Sequence, residues 1–264
     1  MNNVELLKQK YVQAEQLYNN NDYEKAITLY KEIIADNTLN DPCTNFEDST
    51  VLYNINISSC HRLAYSYIFL VKHEEALKYF YIIEKEYPDS VPVLKDIMQV
   101  YFSQNKLQEA FKYGQKILKT ATSEDYDVLY LLLQIHSKLN NFKEVEKMGE
   151  YLIVNYPDKN QEQIYNLLLN AYSFSKKILN ELDLIKQLQQ LRPDKKEYTI
   201  FEAEWYYNQK DFEKFVTKIE SMLNMPLPFI TEKLVAMLKE VHNDTDKNRV
   251  SNIMLKLKKL NIPV

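Results

Sequence analysis

Glycine is almost missing from this sequence: of 264 residues, only Gly114 and Gly149 are glycine. Neither G-x-x-x-x-G-K-[ST] nor G-x-G-x-x-G occurs, so the chain lacks the backbone cradles on which P-loop and dinucleotide-binding folds hold phosphate. Tight hairpins lean on glycine for positive φ, and its scarcity points to an all-α fold class. Cysteine is scarce too. Cys43 and Cys60 alone make neither a four-cysteine zinc site nor a multi-bridge disulfide framework, which favours a reducing, cytoplasmic setting. The longest apolar run, Val128 to Leu133, is far short of the roughly 20 residues of a spanning helix. Met1 to Lys8 turns charged before a signal-peptide core can develop. No membrane insertion is expected.

Chemistry-bearing motifs are equally thin. His73-Glu74-Glu75-Ala76-Leu77 has no second histidine one turn later, so it is not a zinc-binding H-E-x-x-H. His61, His73, His136 and His242 are scattered, and no G-x-S-x-G elbow is present. His136 reads as a filler for a slot that holds tyrosine elsewhere, and Cys60 as inert core rather than a nucleophile. Acidic pairs such as Glu74 with Glu75, or Glu144 with Glu146, read as solvated helix faces. The expectation is no enzyme, no cofactor, no metal and no catalytic residue. A net charge of −4 argues against nucleic acid as a partner.

What the sequence does contain is repetition. A helix-stopping Tyr-Pro-Asp occurs at Tyr87-Pro88-Asp89 and again 69 residues later at Tyr156-Pro157-Asp158, with Arg192-Pro193-Asp194 a further 36 residues on. One unit is complete: Leu63-Ala64, Tyr67, Ala76, Phe80 and Pro88. Ala26-x3-Tyr30, Ala76-x3-Phe80 and Ala110-x3-Gly114 each set a small residue one turn before its packing partner. First helices carry their own signature in Ala14 with Leu17, Ala64 with Tyr67, Met98 with Tyr101, Leu133 with His136, Leu169 with Tyr172 and Ala203 with Tyr206. Turns between paired helices are rich in asparagine, which tolerates the left-handed region that glycine would otherwise fill.

These residues resemble the tetratricopeptide repeat (TPR) pattern L-G-x2-Y…A-x3-F…P, with Ala64 in the glycine slot and Cys60 where the family usually has tryptophan. The resemblance covers about residues 4 to 228 and weakens where Glu181 and Phe215 replace the small residue. It implies a right-handed superhelical solenoid of about six helix pairs. The expected division is a repeat array over 1–228, with a long insertion near 37–52, and C-terminal capping helices over 229–264. No Lys or Arg lies between Lys31 and Arg62, while Glu32, Asp36, Asp41, Glu47 and Asp48 do, so the insertion reads as an acidic surface. Val250, Ile253, Leu257 and Leu260 form the stripe that would cap the array.

The resemblance also implies a function: a non-enzymatic scaffold or adaptor that binds a peptide or partner-protein segment in its concave groove. The alternative is a dedicated chaperone or peptide-responsive regulator built from the same array. The family's clamp for the carboxylate tail of heat-shock chaperones requires Lys and Asn on three successive first helices. Here the matching face offers Tyr11 and Glu15, His61 and Tyr65, then Lys95 and Gln99, of which only Lys95 fits, so that clamp is not expected. The concave-face candidates are Tyr11, His61, Tyr65, Lys95, Gln99, Tyr130, Gln134, Asn166, Asn170 and Phe201. Gln99, Gln134 and Asn170 carry carboxamides, which donate and accept together and suit the backbone of an extended peptide. A merely solvated surface is the competing reading, since Asn and Gln are mostly exposed in any fold.

Overall fold

The computed structural model describes residues 3–36, 46–120, 125–225, 228–241, 245–260 and 262. Among them are fourteen helices and no strand. In chain order these are α1 (Asn3–Asn19), α2 (Tyr23–Ile34), α3 (Phe46–Phe69), α4 (His73–Glu86), α5 (Val91–Ser103), α6 (Leu107–Thr120) and α7 (Tyr126–Lys138). They continue with α8 (Phe142–Asn155), α9 (Gln161–Phe174), α10 (Ile178–Leu191), α11 (Glu197–Asn208), α12 (Phe212–Leu223), α13 (Glu232–Glu240) and α14 (Lys247–Lys259). The chain forms two compact units, Met1–Asn140 and Asn141–Val264. The fold is all-α: in unit 1, and from α8 to α12 of unit 2, each helix packs on its neighbour in sequence and hairpins stack as in a solenoid, while α13 lies against α11 and α14 against α12.

One local device sets the register. Asn21, Val71, Asn105, Asn140, Lys176 and Lys210 all have φ between 56° and 60°, and each sits two residues before the next helix begins. At Asp22, Lys72, Lys106, Lys177 and Asp211 the following N–H bonds back to Leu17, Tyr67, Tyr101, Tyr172 and Tyr206 at 2.8–3.0 Å. This 6→1 bond satisfies a carbonyl that the ending helix leaves open. The acceptors are the same first-helix residues that recur in the sequence. Asparagine suits the left-handed position; valine does not, because its branched Cβ crowds the carbonyl. Val71 is 72% exposed, so little packing depends on its side chain. Val71→Asn is expected to raise stability by about 0.5–1 kcal/mol, measured as a higher urea midpoint with an unchanged slope.

The small-residue slots are fully buried: Ala26, Ala76 and Ala110 expose 0% of their surface. The two glycines extend this logic. A Cβ on Gly149 of α8 would stand 2.8 Å from both Cγ and Cδ2 of Leu168 on α9, and one on Gly114 of α6 would stand 2.6 Å from Leu132 Cδ2 on α7. Both glycines serve close approach between a second helix and the next first helix. Gly149→Ala gains about 1 kcal/mol of helix propensity but incurs about 1–3 kcal/mol of overpacking. A net loss near 1 kcal/mol is the expected calorimetric result.

The insertion resolves in part into helix. Residues 37–45, including Asp41 and Cys43, lie outside the described residues, but from Phe46 the chain is helical and α3 runs to 24 residues. Leu52 and Ile55 of this extension are buried. The expected acidic surface is partly neutralised, since Glu32 pairs with Lys10 at 3.0 Å; the side chains of Glu47 and Asp48 lie outside the described residues. At the other end, Val250, Ile253 and Leu257 are buried against α12 and α13, with Phe215, Ile219 and Leu234 in the same cluster. Leu260 corrects the expected stripe: it follows α14 and is 46% exposed. Arg249 on α14 reaches Glu213 (2.8 Å), Glu220 (2.7 Å) and Thr217 Oγ1 (3.1 Å) of α12, so its charge is spent inside the fold. Glu146 is a second correction. It is 7% exposed and pairs with Lys177 at 2.6 Å, whereas a solvated face was expected.

Candidate functional site

In unit 1 the first helices are α1, α3, α5 and α7; α1 lies against α3, and α5 against α7. His61 and Tyr65 stand one turn apart on α3 and converge on a residue that the sequence reading did not single out, Asp96 of α5. His61 Nε2 lies 3.1 Å from Asp96 Oδ2, and the Tyr65 hydroxyl donates to Oδ1 at 2.6 Å. Both rings also pack edge-on against Phe80. Burial pushes the Tyr65 phenol up, and the Asp96 carboxylate adds to the shift. Asp96 therefore ties α3 to α5 and fixes two candidate side chains. It lies 35 residues after His61, one past the repeat equivalent Lys95, so the repeat pattern alone does not mark it.

Lys95, beside Asp96, reaches across to α7. Its Nζ donates to Asp125 at 2.9 Å and Asp127 at 3.3 Å, while Asp125 Oδ1 also caps α7 through the Asp127 and Val128 amides. Partial burial lowers the Lys95 pKa, but the two carboxylates outweigh it and the net shift is upward. Gln99 is exposed one turn on. With Lys95, Asp96, Asp127, Met98, Val128 and Leu131 it lines a pocket of about 190 Å³ between α5 and α7. On α7, Tyr130 stacks on Tyr126 at 5.8 Å, and Gln134 is half-buried.

A larger open recess of about 520 Å³ lies among α1, α3, α4 and the start of α5. Tyr11, Ser58, His61, Arg62, Tyr87 and Ser90 give it polar groups, and Ile57, Ile83 and Val93 its apolar surface. Arg62 is held in place: its Nε pairs with Glu15 Oε1 at 3.0 Å and its guanidinium lies 4.8 Å from the Tyr18 ring centre. Glu15 also accepts the Tyr30 hydroxyl at 2.5 Å. Burial raises the Tyr11 phenol, Glu15 adds to the shift, and a hydrogen bond from Ser58 opposes it. Cys60, on the same helix, is 1% exposed, and burial pushes its thiol up to about 11; a thiol held protonated at neutral pH is a poor nucleophile. His136 is buried and packs edge-on against Phe111 at 5.2 Å.

Unit 2 uses its candidates differently. Asn166 on α9 donates to the Tyr198 hydroxyl at 3.2 Å and to the Glu162 carbonyl at 2.9 Å, so its amide joins α9 to α11. Glu162 gathers Lys195, Tyr198 and Arg192, which hold its carboxyl down at about 2. Phe201 packs edge-on against Tyr198 at 6.0 Å, and Asn170 is exposed. The structure thus brings Tyr11, His61 and Tyr65 to one side of Asp96 and sets Lys95 and Gln99 beside it, while Asn166, Asn170 and Phe201 belong to the second unit.

No family model and no curated protein matches the sequence. Solved structures do. One is a tetratricopeptide repeat protein from Parabacteroides merdae, with a TM-score of 0.60 and 13% identity over 96% of this chain and 91% of that one. The C-terminal part of a TPR repeat-containing protein from Cytophaga hutchinsonii is similar at a TM-score of 0.58 and 15% identity, covering 94% of this chain and 93% of that one. YrrB, described as a TPR protein with an unusual peptide-binding site, is similar at a TM-score of 0.52 and 13% identity over 79% of this chain and 97% of that one. At these identities the likeness concerns fold alone, and it agrees with the helix hairpins, the buried small residues and the recurrent turn: the chain has the fold of the tetratricopeptide-repeat proteins.

Proposed function

We propose that the protein is a non-enzymatic interaction scaffold whose first-helix face takes up a peptide or a partner-protein segment. The observation that carries this reading is the pre-set surface around Asp96. His61, Tyr65 and Lys95 are already held by hydrogen bonds and ion pairs, so a ligand would not bear the full entropy of ordering them. On either side lie a recess and a pocket with apolar floors and polar rims, the arrangement that grips side chains while carboxamides such as Gln99 and Gln134 meet a peptide backbone. The TPR fold, and the peptide-binding site named for YrrB, support the same reading. We place the protein in the cytoplasm, a reading supported by its having only two cysteines, and assign residues 229–264 the part of a cap.

Alanine at Gln99 and Gln134 together tests the proposal. Both side chains lie at the surface or half-buried, so the melting temperature should stay within a degree or so of wild type, as surface changes usually do. Partner capture from the native source should weaken by about 0.5–1.5 kcal/mol per lost hydrogen bond. Undiminished capture would move the interface away from α5 and α7.

A further inference from the structure

We infer that the groove between α8 and α10 takes up the outer face of α14 from a second copy of the chain, so that copies associate head to tail. Two features of the second unit, left unexplained by contacts within the chain, carry this inference. The first is the groove itself, of about 290 Å³. Ile153 and Val154 of α8, Leu168 of α9 and Leu184 of α10 line it with aliphatic surface, while Glu150 and Asp183 bring one carboxylate from each side. Val154 is 77% exposed, and apolar surface left open beside polar groups marks a contact site. Glu150 accepts the Tyr172 hydroxyl at 2.6 Å through Oε1 alone. Neither it nor Asp183 has an ion pair among the described residues. The neighbouring Lys177, which lies over the Tyr172 ring, is taken by Glu146, and Lys147 and Lys186, one turn from the two carboxylates, do not line the groove.

The second feature is the outer face of α14. This helix holds Lys247, Arg249, Lys256, Lys258 and Lys259 and no acid, in a chain whose net charge is −4. Arg249 is spent on α12, but the four lysines have no ion pair among the described residues. With Val250, Ile253 and Leu257 turned to the core, the helical period turns Leu255 outward, and Lys258 and Lys259, three and four residues on, share its side of the helix. Leu255 is 54% exposed. Cations in a last turn complement the helix dipole, which accounts for the lysines but not for the leucine beside them. An apolar side chain flanked by cations matches an apolar groove flanked by carboxylates: Leu255 enters the groove, and Lys258 and Lys259 meet Glu150 and Asp183. Such charge pairs set partner and register more than they add affinity. Groove and α14 are different surfaces of one chain, so the contact is heterologous and each copy keeps one of the two for the next. None of the groove residues is a first-helix candidate, so the inference stands apart from the peptide site.

Sedimentation equilibrium of the full chain over a range of concentrations tests it. The weight-average mass should rise with concentration, and rise less in high salt, which screens exposed charges. Asp183→Lys with Gln187→Lys reverses the groove, and Lys258→Glu with Lys259→Glu reverses the helix. All four side chains are exposed, so each double variant should keep its helicity, checked by circular dichroism. Each alone should associate at least about tenfold more weakly, because like charges then face each other. An equimolar mixture of the two should recover association, since every contact between unlike variants pairs opposite charges. Leu255→Ser, which leaves every charge in place, should also weaken association about tenfold. A wild type that stays monomeric at every concentration overturns the inference, as does association that survives in both double variants or a mixture no stronger than its parts. Binding of a synthetic peptide of residues 247–259 to the groove of a monomeric wild type would make a basic segment of another protein the occupant and exclude the second copy.

Discussion

Arginine in place of Ala76 is expected to unfold the first unit at temperatures the native protein tolerates. Ala76 exposes 0% of its surface and shares a core with Leu63, Ala64, Leu77, Phe80 and Ile83. There α4 meets α3 at one of the most extensive helix contacts in the molecule. Arginine adds six heavy atoms to a space sized for a methyl group. Overpacking alone costs about 1–3 kcal/mol, and a guanidinium without a partner adds several more unless its stem escapes to water. Set against a typical total of about 5–15 kcal/mol, a loss of 3 kcal/mol or more is a large fraction. Lys78→Arg, on the exposed face of the same helix, should change stability by less than about 0.5 kcal/mol. Denaturant midpoints for the two variants check the pair. An Ala76→Arg protein that melts like wild type would mean that the repeat register places the wrong residue inside.

Deleting residues 229–264 should have the largest effect on the second unit. Leu234, Val235, Leu238, Val250, Ile253 and Leu257 are each at most 3% exposed and cover Phe215, Ile219 and Met222 of α12. Six aliphatic side chains at about 1.5–3 kcal/mol each amount to on the order of 10 kcal/mol of gross burial, an upper bound because unfolded chains already hide part of this surface. That is comparable with the whole stability of a domain. Arg249, with its bonds to Glu213 and Glu220, would go with it. The truncated chain should aggregate and lose amide protection in α11 and α12, as a repeat array stripped of its end does, while α1 to α6 keep theirs. Native-like protection in α12 after truncation would show that the last two helices are an appendage.

The sequence made the repeat legible because the residues that build it are local. A small residue and its partner one turn on, a tyrosine at the end of the first helix and a proline after the second all fall at fixed offsets, and the structure places them at the buried contacts and in the 6→1 turns. Glycine scarcity also proved readable, since Asn21, Asn105 and Asn140 take the left-handed positions. Val71, Lys176 and Lys210 in the same role were not readable, because the tertiary fit of the hairpin overrides local preference there. The site was far less legible. Asp96 matters through partners 31 and 35 residues away, and nothing in a one-dimensional pattern says which of several acids will face His61. Glu146 misled for a related reason. Paired with Glu144 it reads as solvated, but Lys177 from the next hairpin neutralises it and lets it be buried. The bond from Asn166 to Tyr198 of α11 was equally out of reach, since it joins residues 32 apart.

Site-specific photo-crosslinking tests the central claim most directly. A benzoyl-phenylalanine placed at Gln99 on α5 or Gln134 on α7 reports on the first-helix face, and one at Lys112 on α6 reports on a second helix. Each full-length protein would be irradiated in extract from the native source and its adducts identified by mass spectrometry. The account predicts the same partner at Gln99 and Gln134, no adduct at Lys112, and a crosslinked peptide from one continuous segment of that partner. Adducts at Lys112 alone, or at all three positions with unrelated proteins, would contradict it.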